Sequence, residues 1–148
     1  MTIRATILLL CLTLTFFSAD AQIRKIPADV TDAFRTRYPH AERVSWKDQL
    51  NSFEAQFMLN NFEMSANFSG TGEWIRSERK LKFEDLPGEV KDGFEKSKYT
   101  DWEKGSIFEI ARNMEALQYR ILVKKSGVQK KYLFFDVNGK LSKESFTL

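Results

Sequence analysis

Two stretches of this sequence, sixty residues apart, read almost alike. Ile26-Pro27-Ala28-Asp29-Val30-Thr31-Asp32-Ala33-Phe34 returns as Leu86-Pro87-Gly88-Glu89-Val90-Lys91-Asp92-Gly93-Phe94, with an apolar residue, Pro, an acid, Val, Asp and Phe at matching positions. A second pair follows the first: Phe68-Ser69-Gly70-Thr71-Gly72-Glu73-Trp74 and Phe135-Asp136-Val137-Asn138-Gly139-Lys140-Leu141. Internal similarity on this scale means one supersecondary unit used twice. It constrains the architecture before any propensity argument, and it carries no reaction chemistry.

Each unit opens with a helix. Pro27 and Pro87 suit a first helical turn, where the missing N–H costs nothing. Asp29 and Glu89 follow near the positive end of the helix dipole. Ile26, Val30, Phe34 and Tyr38 form one apolar stripe, Leu86, Val90 and Phe94 another, and Pro39 ends the first helix. Both helices are short and need a sheet to lie on.

After each helix the period changes to two. Val44 and Trp46 begin a strand; Phe53, Ala55, Phe57 and Leu59 form a second; Phe62, Met64, Ala66 and Phe68 form a third across the Asn60-Asn61 turn. A fourth runs from Glu73 to Glu78. In the second unit Trp102 stands where Trp46 stood, and Ile107 to Ala111 continues that strand. Leu117 to Lys125, Val128 to Val137 and Lys140 to Phe146 follow, the last two joined by Asn138-Gly139. Lys80 to Asp85 is a short charged connector. The expected fold is α+β: two tandem helix-plus-four-strand repeats, residues 22–80 and 81–148, sharing one antiparallel sheet with both helices on one face.

Residues 1–21 read as a signal peptide. Arg4 supplies the positive n-region, Ile7 to Phe17 the apolar run, and Ala19-Asp20-Ala21 the cleavage site, so the mature chain is expected to start at Gln22, in the periplasm or outside the cell. The apolar run is too short for a membrane span. Cys11 is the only cysteine and leaves with this segment, which removes disulfides and thiolate metal sites from the reading. Cleavage removes one base (Arg4) and one acid (Asp20), so the net charge stays +3. The lysine pairs Lys124-Lys125 and Lys130-Lys131 read as solvated hairpin ends rather than a nucleic-acid stripe.

The order of these elements resembles the β-lactamase-inhibitor-like, PepSY-like family of secreted bacterial proteins. The likeness is carried by the signal peptide, the Ile26-Pro27 and Leu86-Pro87 openings, Trp46 and Trp102, and the turns ending Gly72-Glu73-Trp74 and Gly139-Lys140-Leu141. It covers essentially the whole mature chain and rests on order and duplication rather than on one specific motif. It implies tandem α–β repeats, similar in plan to inhibitors that grip β-lactamase on a concave sheet and to PepSY modules associated with peptidases. It supplies no catalytic signature and no inhibitor-specific residue.

The chemistry-bearing residues point away from catalysis. His40 is the only histidine; with no Gly-x-Ser-x-Gly and no cysteine partner it suggests neither a triad nor a zinc site. Glu54 and Glu63 share the polar face of one hairpin, where solvated acids balanced by Lys or Arg are expected. Asp136-Val137-Asn138-Gly139 lacks the distal Glu of a Ca²⁺ loop and is explained by the hairpin. No cofactor, metal or nucleic acid is expected.

Superposing the units yields a more specific expectation. Phe68 matches Phe135 and Ala66 matches Leu133, pointing to the helices. The alternate residues match Ser65 with Tyr132 and Asn67 with Phe134, so a polar face in the first unit becomes aromatic in the second. Arg120 and Leu122 join that face by alternation. Arg120, Leu122, Tyr132 and Phe134 are therefore the candidate partner-binding face, open to solvent or else covered by the other unit, the C-terminal segment or a second copy. The leading expectation is an exported, non-enzymatic binding module, inhibitor-like in plan, whose partner is a protein or peptide such as an envelope or secreted enzyme. The alternative is a small-ligand or glycan-binding envelope protein that uses Trp46, Trp74 or Trp102 as stacking platforms.

Overall fold

The computed structural model of the chain describes residues 25–126 and 128–146. The signal-peptide reading of residues 1–21 lies outside them. Helix α1 (Ala28–Arg37) is followed by β1 (Glu42–Gln49), β2 (Ser52–Leu59), β3 (Phe62–Phe68) and β4 (Trp74–Leu81). A 3₁₀ turn at Phe83–Asp85 leads to α2 (Gly88–Glu95), then β5 (Glu103–Arg112), β6 (Gln118–Lys124), β7 (Lys130–Asp136) and β8 (Leu141–Phe146). The eight strands make one antiparallel sheet in sequence order, each hydrogen-bonded to the next.

Several boundaries differ from the sequence expectation. Pro27 and Pro87 sit one residue earlier than expected, at the extended N-cap positions. A proline ring there holds φ near its fixed value just before the chain coils. The first helix closes at Tyr38, whose N–H donates to the Phe34 carbonyl, one residue before Pro39. β4 extends through Leu81, so the charged connector begins as strand, where β5 pairs with it as far as Ile107, and ends as the 3₁₀ turn. Trp102 precedes β5 rather than lying within it, unlike Trp46 in β1. The Asn60-Asn61 turn is as expected: both residues have positive φ (49° and 67°), the combination a tight two-residue hairpin requires.

The register puts both helices on one face. Phe57 pairs Met64, Met64 pairs Arg79, Arg79 pairs Glu109, and Glu109 pairs Tyr119, so one side of the sheet can be followed from β2 to β6. On that side α1 buries Val30, Phe34 and Tyr38 against Phe53, Ala55, Phe57, Ala66 and Phe68. There α2 buries Val90 and Phe94 against Ile107, Ile121, Val123, Leu133 and Phe135. Phe34 is the centre of its cluster. Its ring makes edge-on contacts with Trp46, Phe57 and Phe68 at centroid distances of 5.3, 5.0 and 6.2 Å, the geometry aromatic quadrupoles favour.

The two matching sequence segments of each half meet in space. The turn after β3 places Gly72, at φ 82°, against the first turn of α1; a Cβ there would lie 2.6 Å from the Asp29 carbonyl oxygen. The turn after β7 places Gly139, at φ 77°, against the Glu89 carbonyl of α2, and a Cβ would overlap that oxygen. Gly93, one helical turn on, is pressed against the Gly139 carbonyl in the same way. Both turns are closed alike: Gly72 N–H donates to the Ser69 carbonyl and Gly139 N–H to the Asp136 carbonyl. The Ser69 hydroxyl accepts from Glu73 N–H and the Asp136 carboxylate from Lys140 N–H. A register shift adjoins each turn, between Asn67 and Phe68 and between Phe134 and Phe135.

The last strand is tied to the α2–β5 connection by a charged cluster. Tyr99 donates to Glu144 at 2.5 Å, and Lys98 and Lys131 reach the same carboxylate at 3.1 and 3.4 Å. The Tyr99 hydrogen bond, helped by the lysines, holds the Glu144 carboxyl below its ordinary value of 4.5. A carboxylate with a depressed folded-state pKa adds stability that is present above its unfolded value and lost as pH falls through the folded one.

Two outcomes follow. Gly139→Ala should lower stability by about 2–4 kcal/mol, since positive φ and backbone overlap are penalised together, while Gly70→Ala, with open space around it, should change it by less than about 1 kcal/mol; urea midpoints measure both. Glu144→Gln should be less stable than the parent at neutral pH, and the difference should shrink as pH falls below 4.5. A difference that stays constant down to strongly acid pH would rule out the Glu144 cluster as its source.

Candidate functional site

The face opposite the helices is built from the alternate residues of the same strands. Lys80 pairs Phe108, Phe108 pairs Arg120, Arg120 pairs Phe134 and Phe134 pairs Lys143, forming one row from β4 to β8. The adjoining row pairs Leu122 with Tyr132 and Tyr132 with Ser145. The four residues expected to share a face, Arg120, Leu122, Tyr132 and Phe134, therefore do share one. No described element covers it, and all four are half-buried by their neighbours in the sheet.

Lateral packing accounts for that burial. The Arg120 guanidinium lies over the Phe108 ring at 4.9 Å and the Tyr132 ring at 5.2 Å. The Lys143 ammonium lies over Phe134 at 5.6 Å. Leu122 occupies the space above Gly105, where a Cβ would fall 3.0 Å from the Leu122 Cδ2. Ile110 lies on this same face yet is completely buried, between Glu78 on one side and Gln118 on the other. Cation–aromatic stacking at such semi-exposed sites contributes about 0.5–1 kcal/mol per pair.

Arg120 is fixed by more than rings. Its two terminal nitrogens donate to the two oxygens of Glu78 at 3.4 and 2.8 Å, reaching across β5 from β6 to β4. Arg76 approaches the same carboxylate at 3.5 Å and donates to the Asn67 side chain at 3.1 Å. With only 12% of the Glu78 side chain and 21% of the Arg120 side chain exposed, this pair is shielded from bulk solvent.

The first half of the free face is polar and concave. Ser45, Gln56, Ser65, Glu78, Lys80 and Phe108 help to line a trough of about 740 Å³. Glu54 accepts from Gln49 and Gln56 at 2.8 Å each, and Glu63 pairs with Lys80 at 2.6 Å. The two acids are thus held by amides and a lysine. His40 is exposed at the end of α1. Among the described residues no group of three or more His, Cys, Asp or Glu side chains could hold a metal.

The tryptophans occupy a different place from the alternative reading. Trp46 and Trp74 pack against the α1 cluster, and Trp102 against the α2 cluster. The Arg37 guanidinium covers the Trp74 ring at 3.6 Å, and Trp102 meets Tyr99 edge-on at 5.1 Å. They support the helices and do not face the trough.

With this geometry in view, the family described as "Putative beta-lactamase-inhibitor-like, PepSY-like" matches residues 51–143. The chain belongs to that family. Its fold is similar to that of a BLIP-like protein from Bacteroides fragilis, with a TM-score of 0.82 and 22% identity over 86% of this chain and 91% of the other. A DUF2874 family protein from Bacteroides ovatus gives 0.78 and 24%, covering 81% and 86%. A protein from Bacteroides eggerthii, named a "putative periplasmic" protein, gives 0.76 and 20%, covering 81% and 88%. At these identities the likeness is one of fold. No curated protein sequence is significantly similar to the chain. Among the described residues the PepSY-like architecture is two helices on one eight-stranded antiparallel sheet, and no helix there is long and apolar enough to cross a membrane.

A double-mutant cycle of Glu78→Ala and Arg120→Ala should give a coupling of about 1–2 kcal/mol, because the pair is shielded and doubly hydrogen-bonded. The same cycle on the exposed Glu63–Lys80 pair should give about 0.5 kcal/mol or less. Equal couplings would mean that the free face is as wet at Arg120 as at its rim.

Proposed function

We propose that this protein is an exported, non-enzymatic binding module that presents the free face of its sheet to a protein or peptide partner. In this reading the two halves, residues 22–80 and 81–148, are two copies of one α–β unit joined through a shared sheet. The copies keep the helix side in common and diverge on the free side. The observation that carries the proposal is the pairing of Gln56 with Ser65 in one half, against Leu122 with Tyr132 in the other. Equivalent positions are polar where they meet the trough and aromatic beyond it.

Family membership supports this reading, since the family is described as β-lactamase-inhibitor-like. So does the character of the face. Aromatic and arginine side chains in half-buried positions are the residues that dominate protein–protein contacts. The name of the Bacteroides eggerthii relative supports a periplasmic location. The tryptophan-based ligand reading has less support, because the three rings pack against the helix-side clusters, where Trp46 and Trp102 line smaller hollows.

The decisive variant is Phe134→Asp. Phe134 is half-buried beside the edge strand and away from both helix-side clusters, so the variant should fold with an unchanged circular dichroism spectrum. It should lose at least about tenfold in affinity for partners captured by the parent chain from an envelope fraction, as expected for a central aromatic contact. Full retention of capture by a folded Phe134→Asp would sink the proposal, and a panel of secreted peptidases and β-lactamases assayed with both proteins would show whether capture inhibits.

A further inference from the structure

The two halves of the free face differ in charge as well as in aromatic content. On β1–β4 the free-face bases Arg43, Lys47, Arg76 and Lys80 are matched by Glu42, Glu54, Glu63 and Glu78. On β5–β8 the register puts Arg112, Arg120, Lys124, Lys130 and Lys143 on this side. Among the described residues of these strands the acids on this side are Glu103 and Asp136, and Arg120 is already paired with Glu78 of β4. The Asp136 carboxylate is engaged by the backbone N–H groups of Asn138 and Lys140. Glu103 lies 3.8 Å from Lys124, and Arg112 is satisfied by Glu115 and Gln118. Lys130 and Lys143 form no ion pair among the described residues. Lys130 lies two residues before Tyr132 on β7 itself, and Lys143 lies beside Phe134 on β8, the open edge of the sheet.

This arrangement is an apolar centre, Leu122, Tyr132 and Phe134, with uncompensated ammonium groups at its rim. We propose that the β5–β8 half of the free face docks a protein segment in which an apolar side chain is flanked by carboxylates. The proposal rests on the binding-face reading above and adds the chemistry of the partner. An apolar side chain would complete the burial of rings that are already half-buried. Flanking carboxylates would meet Lys130 and Lys143 without first breaking an ion pair among the described residues. A basic segment would instead face a like-signed surface, which disfavours encounter and docking. The half-burial of the rings between long cationic side chains favours a segment with protruding side chains over nucleobases, which need open ring faces for stacking.

The test uses the mature chain, nuclear magnetic resonance mapping of its backbone amides, and three probes. These are a peptide with a central Phe-Leu pair flanked by glutamates, the same peptide flanked by lysines, and a thymidine oligonucleotide of similar length. The glutamate peptide should shift amides around Leu122, Tyr132 and Phe134, and its affinity should fall by about tenfold between about 50 and about 500 mM salt, as screening of rim charges requires. Lys130→Glu combined with Lys143→Glu should reverse the preference toward the lysine peptide. Equal binding of both peptides at these residues overturns the charge assignment and leaves the binding-face reading standing. Tighter binding of the oligonucleotide reassigns the patch to nucleic acid and overturns the proposal. Shifts confined to the β1–β4 trough, or none with any probe, overturn it as well. A folded Phe134→Asp that still captures the parent's envelope partners removes the binding-face reading itself.

Discussion

The rest of this fold hangs on a backbone-to-backbone contact made twice. In each half, a turn that links the third strand to the fourth is pushed against the first turn of the helix, so closely that only glycine fits. Gly72 meets Asp29 and Gly139 meets Glu89. These contacts explain why those two segments, and not the strands between them, are the parts of the sequence that match. The helix opening and the turn are two sides of one joint. An apolar stripe can be drawn from many residues of similar volume with modest loss, whereas a carbonyl touching a Cα allows no side chain at all. The joint fixes where each helix lies on the sheet, and the stripe residues then fill the space that remains.

How much could be read from the chain follows from the range of each interaction. Val30, Phe34 and Tyr38 announced a helix face because their spacing is local, and they are buried together. Asn60-Asn61 announced a hairpin because positive φ is a property of those residues. The shared face of Arg120, Leu122, Tyr132 and Phe134 followed from alternation within two paired strands. What depended on longer-range pairing was hidden. Trp102 looked like a strand residue by analogy with Trp46, yet a different connection from α2 leaves it before β5. Ile110 alternates correctly for the free face, but its complete burial depends on Glu78 and Gln118 arriving from separate strands. No pattern within β5 records that.

The seam between the halves shows the same principle. At β4–β5 neither helix covers the sheet fully, and the residues there are charged on both sides. Arg79 and Glu109 pair at 2.7 Å on the helix side, with Tyr119 adding a hydrogen bond at 3.3 Å. Glu78 and Arg120 pair across the free side. A charged pair in such a position stabilises less than apolar packing would, because desolvation offsets much of the attraction. It does discriminate: a one-residue slip of β4 against β5 would move Arg79 off Glu109 and separate Glu78 from Arg120 at once. The seam thus trades some cohesion for a defined register, and the register aligns the two halves of the free face.

That alignment matters because a sheet with helices on one side must do something with the other. Where β1–β4 meet water, matched charges and amides answer the problem locally. Where β5–β8 meet water, rings are shielded by the aliphatic stems and charged heads of long side chains. The shields are unequal. Arg120 is anchored by Glu78 and stays in place whatever approaches. Among the described residues Lys143 is held by the Phe134 ring, a contact of about 0.5–1 kcal/mol. A partner that offers Lys143 a carboxylate can draw it aside and uncover Phe134 in the same step, while Arg120 keeps Phe108 and Tyr132 in place. In the proposed binding reading, Arg120 is the more firmly anchored shield and Lys143 the weaker one, so contact is expected to begin at the edge.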